Sequence, residues 1–184
     1  MSIRAFTTFD IKNILGLKID RQKDWLTREY ITPSIQVAKG DRKKNLFSQS
    51  DLYLVALFKY LVERKYPRRF AASIIRSIKY AHDIAVDSDR IRKTKLNAPG
   101  LADLKNKWMN LDDIDFLIVS QVPNPKEASR TQNLPLLVDA IHLKPAAEHM
   151  IPPIDWGKYE NVDDIIIINF KKIREKVKVA IEIE

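Results

Sequence analysis

The chain has 184 residues, 45% of them apolar, and no cysteine. That length and apolar content suffice for one ordinary domain with a smaller appendage, or for two small ones, and exclude a disordered chain; the missing thiols exclude disulfides, thiolate metal ligation and thiol redox sensing. The net charge of +8 is unevenly spread, with 21 Lys/Arg against 10 Asp/Glu in residues 1–95 and 11 against 14 in residues 96–184, so a polyanionic partner suits the N-terminal half alone.

Thr7-Thr8-Phe9-Asp10 has the form of a capping box, in which a hydroxyl accepts a backbone N–H three residues on and the acid reaches back. A helix is predicted to start there, with Ile11, Ile14 and Leu15 on one face. Gly16 follows where a helix commonly ends in a left-handed residue, so this first helix is about two turns long. A second helix is predicted from Lys18 to about Tyr30, with Ile19, Gln22, Leu26 and Tyr30 inward and Arg21, Lys23, Asp24 and Arg28 outward; Asp20 suits its positive N-terminal end. Pro33, in Ile31-Thr32-Pro33-Ser34, ends the helical pattern. The next stretch, IQVAKGDRKKNLF, reads as a two-stranded ribbon: Ile35 and Val37 alternate on one arm, Leu46 and Phe47 return on the other, and the Gly40-Asp41 tip carries Lys39, Arg42, Lys43 and Lys44.

Ser48-Gln49-Ser50-Asp51 repeats the capping box and opens a third, amphipathic helix from Leu52 to Arg64, with Leu52, Val55, Ala56, Phe58, Leu61 and Val62 inward. Pro67 is placed as the first residue of a fourth helix, whose buried face is Phe70, Ile74, Ile78, Ala81 and Ile84 or Ala85. The charged stretch from Asp87 to Pro99-Gly100 reads as a linker, and Leu101 to Leu111 as a short helix bearing Trp108. Asp115 to Val122 has the β-branched and aromatic content of a buried strand. Six of the nine prolines fall between Pro123 and Pro153, with one further strand placed around Leu136 to Leu143. Asp164 to Asn169 is an apolar run suited to a strand covered on both faces. After it, Phe170, Ile173, Val177, Ala180 and Ile181 keep helical spacing while Val177, Val179, Ile181 and Ile183 alternate as in a strand; the helix formers in KKIREKV favour a helix from Phe170 to about Val179.

Two short helices, a basic ribbon and a capped third helix are the plan of a winged helix-turn-helix. The spacing of its parts resembles the MerR family of bacterial transcription regulators over residues 6 to about 80. Phe6-Thr7 matches the family's opening aromatic and threonine, Leu15-Gly16-Leu17 its Leu-Gly-aliphatic turn, and Pro33-Ser34 the Pro-Ser after its second helix. Trp25, Ala38-Lys39-Gly40, Phe47-Ser48 and Asp51-Leu52 match a subgroup with a tryptophan in that helix and a wing of this form. The resemblance implies that Lys23 contacts phosphate, that Trp25 braces the helix near the DNA backbone, and that Lys43 or Lys44 takes the part of a wing arginine common where Asn45 stands.

The predicted fold class is mainly α with small β: an N-terminal MerR-like winged helix-turn-helix over residues 1–86, a linker and short helix over 87–111, and a small α/β element over 112–184 that serves dimerisation, effector sensing or partner contact. Lys18, Arg21, Gln22 and Lys23 are expected to face the major groove, where Arg pairs with guanine and Gln with adenine. Arg28, Lys39, Arg42, Lys43 and Lys44 are expected to hold phosphate, with Trp25 as packing. No enzyme, cofactor or metal is indicated: His82, His142 and His149 lack ligand-like spacing, Asp112-Asp113 and Asp163-Asp164 suit turns before strands, and no Gly-rich phosphate loop is present. No run approaches the roughly eighteen apolar residues of a membrane span, and MSIRAFTTFD lacks the apolar core of a signal peptide. The expectation is therefore a cytoplasmic, nucleoid-associated transcription regulator binding double-stranded DNA as a homodimer, with RNA polymerase or a small-molecule effector as further partners and no membrane contact. An architectural, excisionase-like or phage DNA-packaging protein, and a protein-interaction adaptor, stand as alternatives.

Overall fold

A computed structural model describes residues 4–38, 44–86, 108, 110–121, 136–141 and 164–183. The described chain is mainly helical with one small antiparallel sheet. It divides into two compact units, residues 1–75 with 172–184 and residues 76–171. No helix among the described residues is long and apolar enough to cross a membrane.

In the first unit, α1 spans Thr8–Leu15 and α2 spans Ile19–Thr27. The cap of α1 is reciprocal: the Asp10 carboxylate accepts the Thr7 N–H at 2.6 Å, and Thr7 Oγ1 accepts the Asp10 N–H at 3.3 Å. Gly16 ends the helix at φ 61°. An added Cβ there would meet nothing within 4 Å, so conformation rather than crowding calls for glycine. The Leu15 carbonyl, left over at this helix end, accepts from Lys59 Nζ at 2.8 Å, which also sets a cation against the negative end of the helix.

The second helix stops before the expected Tyr30. Glu29 turns left-handed (φ 56°), its N–H bonds Leu26 O at 3.0 Å, and the Tyr30 N–H bonds Trp25 O at 2.8 Å. These crossed bonds close a Schellman turn, which a sequence without glycine or asparagine at that position does not announce. The chain leaves the helix with Tyr30 against Phe58, ring centroids 5.6 Å apart.

Helix α3, Gln49–Glu63, begins at the second reciprocal cap and ends in the same kind of turn, with Lys65 at φ 70°. It was expected to bury one face. Instead Leu52, Tyr53, Leu54, Val55, Leu57, Phe58 and Leu61 are all buried while Ala56 and Val62 are only partly covered, so α3 is wrapped by its neighbours. Trp25 meets Phe58 edge-on at 4.6 Å. Trp25, Phe47, Leu52, Phe58 and Leu61 are among the fully buried side chains, each contributing about 1.5–3 kcal/mol relative to exposure. Helix α4 runs Arg68–Val86. Pro67 therefore sits one residue outside it, its carbonyl accepting from Ala71 N at 3.0 Å. Of the face expected to be buried, Ile74, Ile78 and Ala85 are buried while Phe70 and Ala81 are only partly covered, and Ala71, Ala72 and Ile75 widen it.

The second unit holds a sheet of β1 (Phe116–Gln121), β2 (Leu136–Ile141) and β3 (Asp164–Asn169) in the order β2-β1-β3, both pairings antiparallel. Leu117 stands opposite Ala140 and Ile168, and all three are buried, so they mark the core face. Central β1 is covered on both sides, since Ile118 and Ser120 on its other face are also buried. The expectation for β3 needs correction: Ile168 is buried but Ile167 is 43% exposed. The strand stands beside β1 alone among the described strands, and antiparallel sheets commonly leave one face less covered. Before β1, Leu111–Asp113 forms a single 3-10 turn whose Asn110 side chain accepts the Asp112 N–H at 3.0 Å. The expected linker, and most of the helix expected before Leu111, lie outside the described residues; Trp108 is helical and buried.

Directly after β3 comes α5, Phe170–Ile183, so helical spacing prevails over strand alternation throughout this segment. Phe170, Ile173 and Val177 are buried. The Phe170 and Lys171 N–H groups, unpaired within the helix, both reach the Asp115 carbonyl at 2.9 Å.

Candidate nucleic-acid interface

Helix α2 sorts the expected contact residues by position. At 100° per residue, Gln22 and Trp25 fall on one side and the charged residues on the other. Lys18, Arg21, Lys23 and Arg28 are exposed, while Gln22 and Trp25 are 0% and 1% exposed. Arg21 and Arg28 share one flank seven residues apart, Lys23 takes the opposite flank, and Asp20 and Asp24 stand between them. Lys18, at the N-cap, makes no side-chain capping bond.

Gln22 does not face a groove. Its Nε2 donates to Leu17 O at 2.8 Å, tying the second helix to the turn after Gly16, and its Oε1 is buried without a partner. The expected adenine contact is corrected on this ground, since base reading needs the amide in solvent reach. Trp25 is a core residue packed on Phe58, in keeping with the expectation of packing rather than base contact.

Asp24 carries an arrangement that sequence reasoning missed. Its Oδ1 lies 2.6 Å from Arg28 Nε and its Oδ2 lies 3.3 Å from Arg68 Nη1. Both carboxylate oxygens of Asp24 are engaged in this bridge. The hydrogen bond and charge of Asp24 raise the pKa of Arg28 above its ordinary value, with Tyr30 assisting. Arg68 belongs to α4, 44 residues from Asp24. Its only sequence cue was a position beside Pro67 at a helix start, which says nothing about a distant carboxylate.

Of the expected two-stranded ribbon, the described residues form one isolated antiparallel bridge, between Gln36 and Leu46. Gln36 and Leu46 exchange backbone bonds at 2.9 and 3.2 Å, and Phe6 pairs with Phe47 at 2.9 and 2.8 Å, so the segment before α1 joins the returning arm. Asp51, 4% exposed, fixes the departing arm: its Oδ2 accepts the Ser34 N–H at 2.8 Å, the Ser34 hydroxyl at 2.6 Å and the Ser48 N–H at 2.8 Å. Asn45 Oδ1 accepts from Ala38 N at 2.8 Å, which gives that residue a structural task in the ribbon. Lys44 is exposed on the returning arm, while Lys39, Arg42 and Lys43 lie outside the described residues.

The arrangement offers cationic donors from α2, from the start of α4 and, through Lys44, from the segment that leads into α3. Such donors can hold phosphate oxygens, and Arg21 can in addition read a base edge. His82 hydrogen-bonds the Trp108 carbonyl through Nδ1 at 2.7 Å, which requires that nitrogen to carry the proton. The chain matches no family model and no curated protein.

Proposed function

We propose that this chain is a sequence-specific regulator of transcription that binds double-stranded DNA through a MerR-like winged helix-turn-helix, as a homodimer on a pseudo-palindromic site. In this reading α2 enters the major groove, Arg21 with Lys18 approaches base edges, and Lys23, Arg28 and the basic ribbon take phosphate. The observation that carries the reading is the joint placement of an exposed Arg21–Arg28 flank on α2 and a ribbon anchored to the first turn of α3 by Asp51. Gln22 leaves the list of groove contacts and becomes a brace. The second unit, with its three-stranded sheet, is the proposed place for an effector or protein partner.

A gel-shift titration at two salt concentrations tests it. Release of counterions from neutralised phosphates predicts steep loss of binding as salt rises, and a regulator adds one preferred site. Steep salt dependence without preference, accompanied by DNA bending, would favour an architectural or packaging role instead. No binding at low salt would leave the adaptor reading, for which the exposed Asp20 on α2 is the physical motive.

A further inference from the structure

Asp24 stands in the middle of the outward surface of α2, where a lone carboxylate would oppose phosphate. It is not alone. One oxygen meets Arg28, four residues along its own helix, and the other meets Arg68 at the start of α4. We infer that Arg28 and Arg68 together grip one DNA phosphate beside α2, and that Asp24 is the positioning residue that holds them; the inference rests on the DNA-binding reading.

Three physical points support the assignment. A guanidinium has five N–H donors, and Asp24 takes one from Arg28 and one from Arg68, so donors remain for a second oxyanion. The two arginine side chains are 58% and 50% exposed and Asp24 is 36% exposed, so those donors stay within reach of solvent and ligand. Two cations and one anion keep a net positive charge, while the carboxylate restricts side chains that would otherwise lose rotamer freedom on binding. Exposed ion pairs add little to folding, so stability alone does not account for joining two helices this way. Arg68 thereby extends the expected footprint from α2 and the ribbon to α4.

The test uses the full chain and a labelled random-sequence duplex of about 20 bp, with anisotropy titrations across a salt series. Arg68→Ala should lower the slope of log K against log salt by about 0.9, the share of one phosphate, and Arg68→Lys should restore most of it. Asp24→Asn removes a negative charge and by charge alone should tighten binding. If Asp24 positions Arg68, that tightening is larger when Arg68 is already alanine, by about threefold or more, and this coupling is read from the double-mutant cycle. Thermal melts of all variants should match the parent within a few degrees, as expected for exposed pairs. Equal effects of Asp24→Asn in both backgrounds would overturn the positioning role. An unchanged slope in Arg68→Ala, with the parent still bound in a salt-dependent way, would overturn the grip and leave the DNA-binding reading intact. A parent that binds no duplex would overturn both.

Discussion

Thr7-Thr8-Phe9-Asp10 and Ser48-Gln49-Ser50-Asp51 are the same four-residue signal, and each folds into the same reciprocal cap. Their surroundings differ. Asp10 is partly exposed and accepts from Thr7 alone among the bonds described, from its N–H at 2.6 Å and its hydroxyl at 2.8 Å. Asp51 is buried and accepts from Ser34 as well as from Ser48, across 17 residues of chain. One box starts a helix. The other starts a helix and fixes where the ribbon departs, so an identical local motif has become a tertiary joint.

The largest expected effect comes from breaking that joint. Asp51→Ala should destabilise the protein by about 2 kcal/mol, because it removes a cap and takes the acceptor from three donors at a partly buried joint. Thr7→Ala should cost about 1 kcal/mol, the ordinary value of a lost cap. Urea unfolding of the two variants measures the ratio directly. Similar losses would mean that the Ser34 bonds add nothing to the cap.

Ser34→Ala isolates the tertiary part. It should cost about 1–1.5 kcal/mol, and a double-mutant cycle with Asp51→Asn should show coupling where a cycle with Thr7→Ala shows none. The variant should also weaken DNA binding without changing sequence preference, since Ser34 opens the ribbon and leaves Arg21 in place. Unfolding curves give the first outcome and anisotropy titrations the second.

The caps also explain what was legible beforehand. The start of α1, the Gly16 stop and the bounds of β3 follow from neighbours in sequence and were placed within a residue, whereas α3, expected from Leu52, starts at Gln49, directly after its Ser48 cap. The ends of α2 and α3 rest on Glu29 and Lys65 in left-handed conformation, which local residue preference argues against. The Asp24–Arg68 bridge joins residues 44 apart, and no local pattern encodes it. Gln22 was the ambiguous case within the site: its spacing placed it inward and its chemistry suggested a groove, and packing decided for the inside. The exposure of Ile167 depends on where β3 stands in the sheet, which strand composition does not reveal.

Those two left-handed ends give a smaller, opposite effect. Lys65→Gly should raise stability by about 0.5–1 kcal/mol, because glycine adopts φ 70° without the Cβ penalty. The gain is expected even though glycine has more unfolded freedom to lose, since the native conformation disfavours lysine by about 1–2 kcal/mol. A rise in the urea midpoint with an unchanged m-value is the expected record.

The smallest effect is expected at Gln22, a buried polar group only half satisfied. Asp51 accepts three donors from its surroundings, whereas Gln22 gives one bond to Leu17 O and buries Oε1 without a partner. Gln22→Met keeps the length of the side chain, loses that bond and removes the orphaned acceptor; these terms oppose each other at about 1 kcal/mol apiece, so stability should change by less than about 1 kcal/mol. Binding-site selection should return the same preferred DNA sequence for Gln22→Met as for the parent, while Arg21→Ala on the exposed flank relaxes it. A changed preference in Gln22→Met with an unchanged one in Arg21→Ala would mean that α2 turns its Gln22 face to DNA. The buried cluster of Trp25 and Phe58 would then have to open for binding, and the brace from Gln22 to Leu17 would be a feature of the free protein alone.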